Sequence, residues 1–228
     1  MIIISGSNGN KYNADVNHKN YAKQHNIEYH YFTDIDYKQG VMQHPGYLKT
    51  YAIRQALESH DRVMWIDDDA FFIDFNWDCR TVFDQYTKPW IVSQSHPVKV
   101  RQAILNSGIM FYRKNLEIIN MLSEIPNITD KEKLNSWQEE WGTTKGNDQP
   151  RYILMSQTKY KDCVDIVPYN QNGWNKRREL CMRSHQQIVH FAGTNKESRM
   201  RDFERRVKID LNHSEITYNI KKNKYTSR

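Results

Sequence analysis

The stretch Arg62-Val63-Met64-Trp65-Ile66 reads as a buried strand. It runs without a break into Asp67-Asp68-Asp69, and the chain then turns apolar again at Ala70-Phe71-Phe72. Few folds place three adjacent carboxylates between apolar segments, because each ionised group makes its neighbours harder to ionise and burial adds to that cost. A divalent cation with oxygen ligands offsets both. In an extended segment Asp67 and Asp69 point to one side and Asp68 to the other, so the spacing supplies two ligands. An acidic turn capping a helix would carry the same triplet; the apolar runs on both sides weigh against it.

Around this stretch, strand patterns alternate with helical ones. Residues 2–5 predict a first strand, followed by a Gly/Asn/Ser loop over 6–10, a polar helix over 17–24 and a strand at Glu28–Phe32. Pro45-Gly46 opens a helix that puts Leu48, Ala52, Ala56 and Leu57 on one face. Further strands are predicted at Trp90–Ser93, 108–112, Val164–Val167 and 188–191, with helices over 116–125 and 149–156. The alternation implies an α/β fold whose sheet is mostly parallel and flanked by helices. Ligands in such folds sit beyond the carboxyl ends of the strands.

One of those ends is Val189-His190-Phe191-Ala192-Gly193-Thr194-Asn195-Lys196. A neutral imidazole is a good ligand for a transition-type cation such as Mn²⁺, with Mg²⁺ as the alternative. Asp67, Asp69 and His190 together with phosphate oxygens and water would complete an octahedron, and Lys196 would neutralise the phosphate as a point charge. A strand-end histidine satisfied within the core is the competing reading of His190.

Composition narrows the class. With 6 Trp, 14 Tyr and 8 Phe the chain has the apolar surface for a core, which excludes a disordered polymer. No apolar run approaches the roughly 20 residues needed to span a bilayer. Met1-Ile2-Ile3-Ile4-Ser5 is too short and uncharged for a signal peptide. Cys79, Cys163 and Cys181 are too widely spaced for a zinc knuckle or redox motif and predict reduced, buried thiols in a cytoplasmic, soluble protein. Of the net charge of +6, the segment from Lys196 to Arg228 carries ten Lys/Arg against five Asp/Glu. A nearly neutral body argues against nucleic-acid coating, and the basic end is open to an anionic membrane surface or an acidic polysaccharide. Within it Arg201, Arg205 and Lys208 would line one helix face. Gly6-Ser7-Asn8-Gly9-Asn10-Lys11 lacks the ending of a P-loop, which excludes that NTPase class.

These residues resemble the nucleotide-sugar glycosyltransferases of the GT-A fold, family 34 in particular, with kinship to family 8. The matching stretches are Asn17-His18-Lys19-Asn20-Tyr21-Ala22, the helix carrying Lys49 and Arg54, Trp65-Ile66-Asp67-Asp68-Asp69-Ala70, Asn106-Ser107-Gly108, Asn147-Asp148-Gln149, Val167-Pro168 and His190-Phe191-Ala192-Gly193. The spacing from His190 to Lys196 is similar to the family 8 HxxGxxK signature. The resemblance implies one GT-A domain over residues 1–210 with a basic tail over 211–228. It implies Asp67, Asp69 and His190 as metal ligands and Lys196 as a diphosphate clamp, with Asp68, Asn106 and Gly193 nearby on the donor. It implies Asp148 and Gln149 near the anomeric carbon, Lys49 and Arg54 approaching the donor, and Ser5, Asn8 and Tyr12 around base and ribose. The activity implied is transfer of a hexose from a nucleotide sugar, UDP-linked by preference, to a glycan or lipid-linked acceptor, with retention. An inverting reaction follows instead if Asp148 is a base on the opposite face. Family 34 members begin with a membrane anchor and stem that this sequence lacks, so a minimal bacterial or viral enzyme, or an excised domain, is expected. A metal-dependent sugar nucleotidyltransferase and a non-enzymatic basic binding module are the competing classes.

Overall fold

The computed structural model describes residues 1–7, 12–33, 48–97, 103–128, 148–193 and 195–211, and the backbone alone of Ile216–Asn219 and Lys224–Ser227. Six strands build the central sheet: β1 (Ile2–Gly6), β2 (Glu28–Phe32), β3 (Arg62–Ile66), β5 (Trp90–Ser93), β6 (Asn106–Arg113) and β7 (Val164–Val167). Their order is β2-β1-β3-β6-β5-β7. Strands β2, β1 and β3 run parallel, as do β5 and β7, while β6 runs against both of its neighbours. The sheet is thus mostly parallel, as expected. The reversed strand matters for the site, because it puts the amino end of β6 beside the carboxyl end of β3, with Ile66 opposite Ile109.

Alternation along the strands divides the core in two. Ile3, Met64, Ile66, Ile109 and Phe111 face α1 (Ala14–Gln24) and the rings of Phe71, Phe72, Phe191 and Phe203. Ile4, Val63, Trp65, Val92, Met110 and Tyr112 face α2 (Leu48–Ser59), α4 (Leu116–Glu124) and α5 (Gln149–Gln157). The short α3 (Thr81–Gln85) and α6 (Arg178–Cys181) fill connections. Helix α7 (Lys196–Val207) docks Met200 and Phe203 on the first face.

Three expectations shift. Helix α1 begins at Ala14 rather than residue 17, because Asn13 takes a left-handed conformation (φ 54°) that turns the chain into it. Strand β6 begins at Asn106. The strand expected over 188–191 is β8 (Ile188–His190), and it lies outside the main sheet, paired antiparallel with β4 (Ala70–Phe72). Beyond residue 210, β9 (Ile216–Asn219) and β10 (Lys224–Ser227) form an antiparallel hairpin. All three cysteines are buried and unbridged. Among the described residues no helix is long and apolar enough to cross a membrane.

Candidate metal and donor site

The triplet after β3 is a turn, not the extended segment the alternation assumed: the Ala70 amide donates to the Asp67 carbonyl at 3.1 Å. The Asp67 amide is meanwhile held by the Gly108 carbonyl (2.8 Å) and the Phe191 amide by the Asp69 carbonyl (2.9 Å). The β4–β8 ladder sets Ala70 opposite His190. Two segments far apart in sequence are thereby locked side by side, and Asp67, Asp69 and His190 present ligand atoms within 4.8 Å of one another.

Each carboxylate divides its oxygens. Asp67 Oδ1 accepts from Lys49 Nζ (2.9 Å) and from the Trp65 indole (2.6 Å), while Oδ2 faces His190 Nε2 at 4.0 Å. Asp69 Oδ2 accepts from Lys196 Nζ (2.6 Å), while Oδ1 lies 3.2 Å from His190 Nε2. One oxygen of each aspartate is tied to a cation of the protein, and the other joins the imidazole on a common face.

The histidine tautomer follows from a backbone group. The Gly108 amide can only donate, and it donates to Asn106 Oδ1 (3.0 Å). Asn106 Oδ1 also accepts from Asn175 Nδ2 (3.1 Å), which leaves Asn175 Oδ1 as acceptor for His190 Nδ1 (3.0 Å). Nδ1 therefore carries a proton, and Nε2 is the atom turned to the carboxylates: as an imidazolium the ring donates from it to Asp69 Oδ1, and as a neutral ring it would offer that lone pair to a metal, as an outer hydrogen-bond partner normally arranges. Glycine at 108 is required: an added Cβ would sit 2.1 Å from His190 Cε1. Two carboxylate oxygens and one imidazole nitrogen could hold a divalent cation.

The charges point the same way. Among the described residues Asp67, Asp68, Asp69 and Asp148 face two ammonium groups, Lys49 and Lys196. Burial, helped by Asp69 and Asp148, pushes Asp67 above the usual carboxylate range despite Lys49. Burial and the two flanking aspartates push Asp68 up to about 6. Asp69 is only 2% exposed, yet His190 and Lys196 outweigh its burial and hold it below that range.

Lys49 lies beneath the acidic triplet. It is 8% exposed, and its ammonium is used up by Asp67, Asp148 Oδ2 (3.0 Å) and the Ser107 carbonyl (2.9 Å). It acts as a cross-link between the acidic triplet and Asp148, whose Oδ2 also accepts from Ser107 Oγ at 3.2 Å. Gln149 sits beside Asp148, its Oε1 accepting from the Ser107 amide (3.4 Å). Arg54 turns away to Ser123 on α4 (3.3 Å) and leaves the site. Ser5 is fully buried within β1 and presents no accessible atom to a ligand. Asn106 lies one residue removed from His190, bonded to Asn175, which holds the imidazole. Asn8 lies outside the described residues. Tyr12, Gly193 and Lys196 line a cleft of about 440 Å³ with Arg201, the Lys196 ammonium lying 5.6 Å from the Tyr12 ring.

Asn175 was missed from sequence, since a lone amide carries no signal until its partners are known. The expected basic helix is present, but Arg205 and Arg206 close on Asp202 (2.7 and 2.9 Å), Arg199 holds the Phe191 and Ala192 carbonyls, and Lys208 lies past the helix end.

No protein-family model matches the chain, and a search of curated proteins gives no match. Solved structures do match. A glycosyltransferase involved in the glycosylation of the major capsid of PBCV-1 superposes with a TM-score of 0.65 at 15% identity, covering 90% of this chain and 98% of that one. Mouse xyloside xylosyltransferase 1 in its apo form gives 0.49 at 10% identity, covering 86% and 98%. The chain has the GT-A fold.

Proposed function

We propose that the protein is a metal-dependent glycosyltransferase that moves a hexose from a nucleotide sugar, UDP-linked by preference, to a hydroxyl of a glycan or lipid-linked acceptor with retention. The carrying observation is the face formed by Asp67 Oδ2, Asp69 Oδ1 and His190 Nε2 beside the Tyr12–Lys196 cleft. A divalent cation held there, Mn²⁺ by preference for the imidazole, supplies Lewis-acid stabilisation of the leaving diphosphate. Lys196 opens α7, so its ammonium and the helix amino terminus both favour an anion at that spot. Tyr12 offers its ring to the base.

As the bond from the sugar C1 to the phosphate oxygen breaks, the acceptor hydroxyl attacks C1 from the same face. Its proton passes to the departing phosphate oxygen. Asp148, aimed by Lys49 and Ser107, and Gln149 stabilise the positive charge that builds on the sugar.

A panel of UDP- and GDP-sugars tests the reading. One donor should raise the melting temperature and be hydrolysed only when Mn²⁺ or Mg²⁺ is present. Asp69→Ala should fold normally and lose about 100-fold or more of that turnover. Wild-type rates in purified Asp69→Ala would overturn the metal assignment.

A further inference from the structure

One peptide addresses both halves of the cation site. The Gly108 carbonyl holds the Asp67 amide, and the Gly108 amide starts the line of hydrogen bonds that passes through Asn106 and Asn175 to His190. Asn175 lies just before α6 and is buried. Its own amide donates to Asn172 Oδ1 (3.2 Å), and Asn172 Nδ2 donates to Ser93 Oγ and the Pro168 carbonyl, both at 3.1 Å. The next residue, Lys176, bridges to Val189 in β8 and accepts from the His190 amide at 2.7 Å. Asn175 thus has its backbone tied along β8 and its side chain reaching β6.

What that side chain decides is the way His190 faces. An imidazole can turn over about its Cβ–Cγ bond, which exchanges Nδ1 with Cδ2 and Nε2 with Cε1 while filling nearly the same space. In the observed orientation Nε2 lies 3.2 Å from Asp69 Oδ1. In the other, a C–H would face both aspartates and the third ligand would be lost. Asn175 Oδ1 separates the two, because it accepts from Nδ1–H in the first and would meet a C–H in the second. The amide cannot itself turn over without cost, since its Nδ2 must point at Asn106 Oδ1, which the Gly108 amide already holds.

We propose that Asn175 is a positioning residue of the cation site: it selects the ring orientation that presents Nε2 and so sets a preference for Mn²⁺ over Mg²⁺. The inference rests on the metal site within the glycosyltransferase reading. Mn²⁺ accepts an imidazole nitrogen, whereas Mg²⁺ keeps to oxygen ligands. Turning the nitrogen away therefore costs the first ion and largely spares the second.

Mn²⁺ binding followed by electron paramagnetic resonance, with and without UDP, tests this on the full chain, and Mg²⁺ is measured by competition. Wild type should prefer Mn²⁺. Asn175→Ala should lose about tenfold or more of the Mn²⁺ affinity, as expected for the outer partner of a ligating histidine, and much less of the Mg²⁺ affinity. In a His190→Ala background the same substitution should change neither, because it acts through the ring. Asn106→Asp keeps an acceptor for Gly108 and Asn175 and should retain the wild-type ratio of the two affinities, while Asn106→Leu should lower it. That pair decides the matter if Asn175→Ala does not fold. A wild-type ratio in Asn175→Ala overturns the proposal, as does an equal further loss in the His190→Ala background, the same ratio in both Asn106 variants, or a wild type indifferent between the ions. Tight Mn²⁺ binding that ignores Asn175 leaves the metal reading standing. A wild type that takes up no Mn²⁺ in either condition sinks that reading and this inference with it.

Discussion

Lys49 and Lys176 are buried to nearly the same degree and live in opposite electrostatic worlds. Lys49 sits under the acidic triplet, where Asp148 and Asp67 outweigh the penalty of burial and drive its ammonium above the usual lysine range. Lys176 has a carbonyl and an aromatic ring, and burial pulls it down to about 8. The difference teaches that nearby counter-charge decides whether an interior ammonium holds its proton more or less tightly than in water.

The largest effect expected from breaking this contrast is at Lys49. Lys49→Met leaves Asp67 and Asp148 buried without their shared partner, and removing one member of a buried pair costs about 3–5 kcal/mol. Urea unfolding should show that loss, and a change below about 1 kcal/mol would mean that the cross-link is not holding the fold.

An imidazole sharpens the comparison next. His18 is fully buried between the Ala70 carbonyl (2.7 Å from Nε2) and the Tyr29 hydroxyl (3.5 Å from Nδ1), and burial lowers it to about 4. The folded value lies below the unfolded one of about 6.5, so the unfolded chain binds the extra proton first as pH falls. Its contribution of about 3 kcal/mol is complete above pH 6.5 and lost progressively toward pH 4. Unfolding curves at pH 7, 5 and 4 should show this loss in wild type and a smaller acid dependence in His18→Gln.

The smallest effect is at Lys176 itself. With a lowered folded value, the unfolded chain holds more protons between about pH 8 and 10.5, so wild-type stability rises through that window. Lys176→Met should therefore gain about 1 kcal/mol at pH 7, and the gain should fade as pH climbs toward 10.5. A variant less stable than wild type at pH 7 would show that the ammonium is well compensated after all.

What could be read from the sequence follows the range of each physical signal. Strands β3, β5 and β7 have the expected limits because apolar runs bounded by polar residues are local. Asp67, Asp69, His190 and Lys196 were visible because carboxylates and cations at strand ends are out of place unless they have work to do. Strand direction has no local signature, so the reversal of β6, and with it the placement of Asn106 and Gly108, was not foreseen. Nor was the sharing of Lys49 between Asp67 and Asp148, since an internal cross-link and a donor contact call for the same residue type on the same helix. Side-chain amides such as Asn175 acquire a role only when both of their partners are fixed.

The ladder between β4 and β8 also sets an order of events during synthesis. The acidic triplet emerges early, while His190 and Lys196 emerge near the end of the chain. Closing so long a loop is entropically slow relative to local pairing. Until β8 arrives, Asp69 has neither of the groups that hold it ionised, and the three-ligand face does not exist. The arrival of β8 thus brings the three ligands of the cation site together. Any cation captured there binds only a chain in which β4 and β8 have paired, so its affinity adds to the stability of that pairing and reports it.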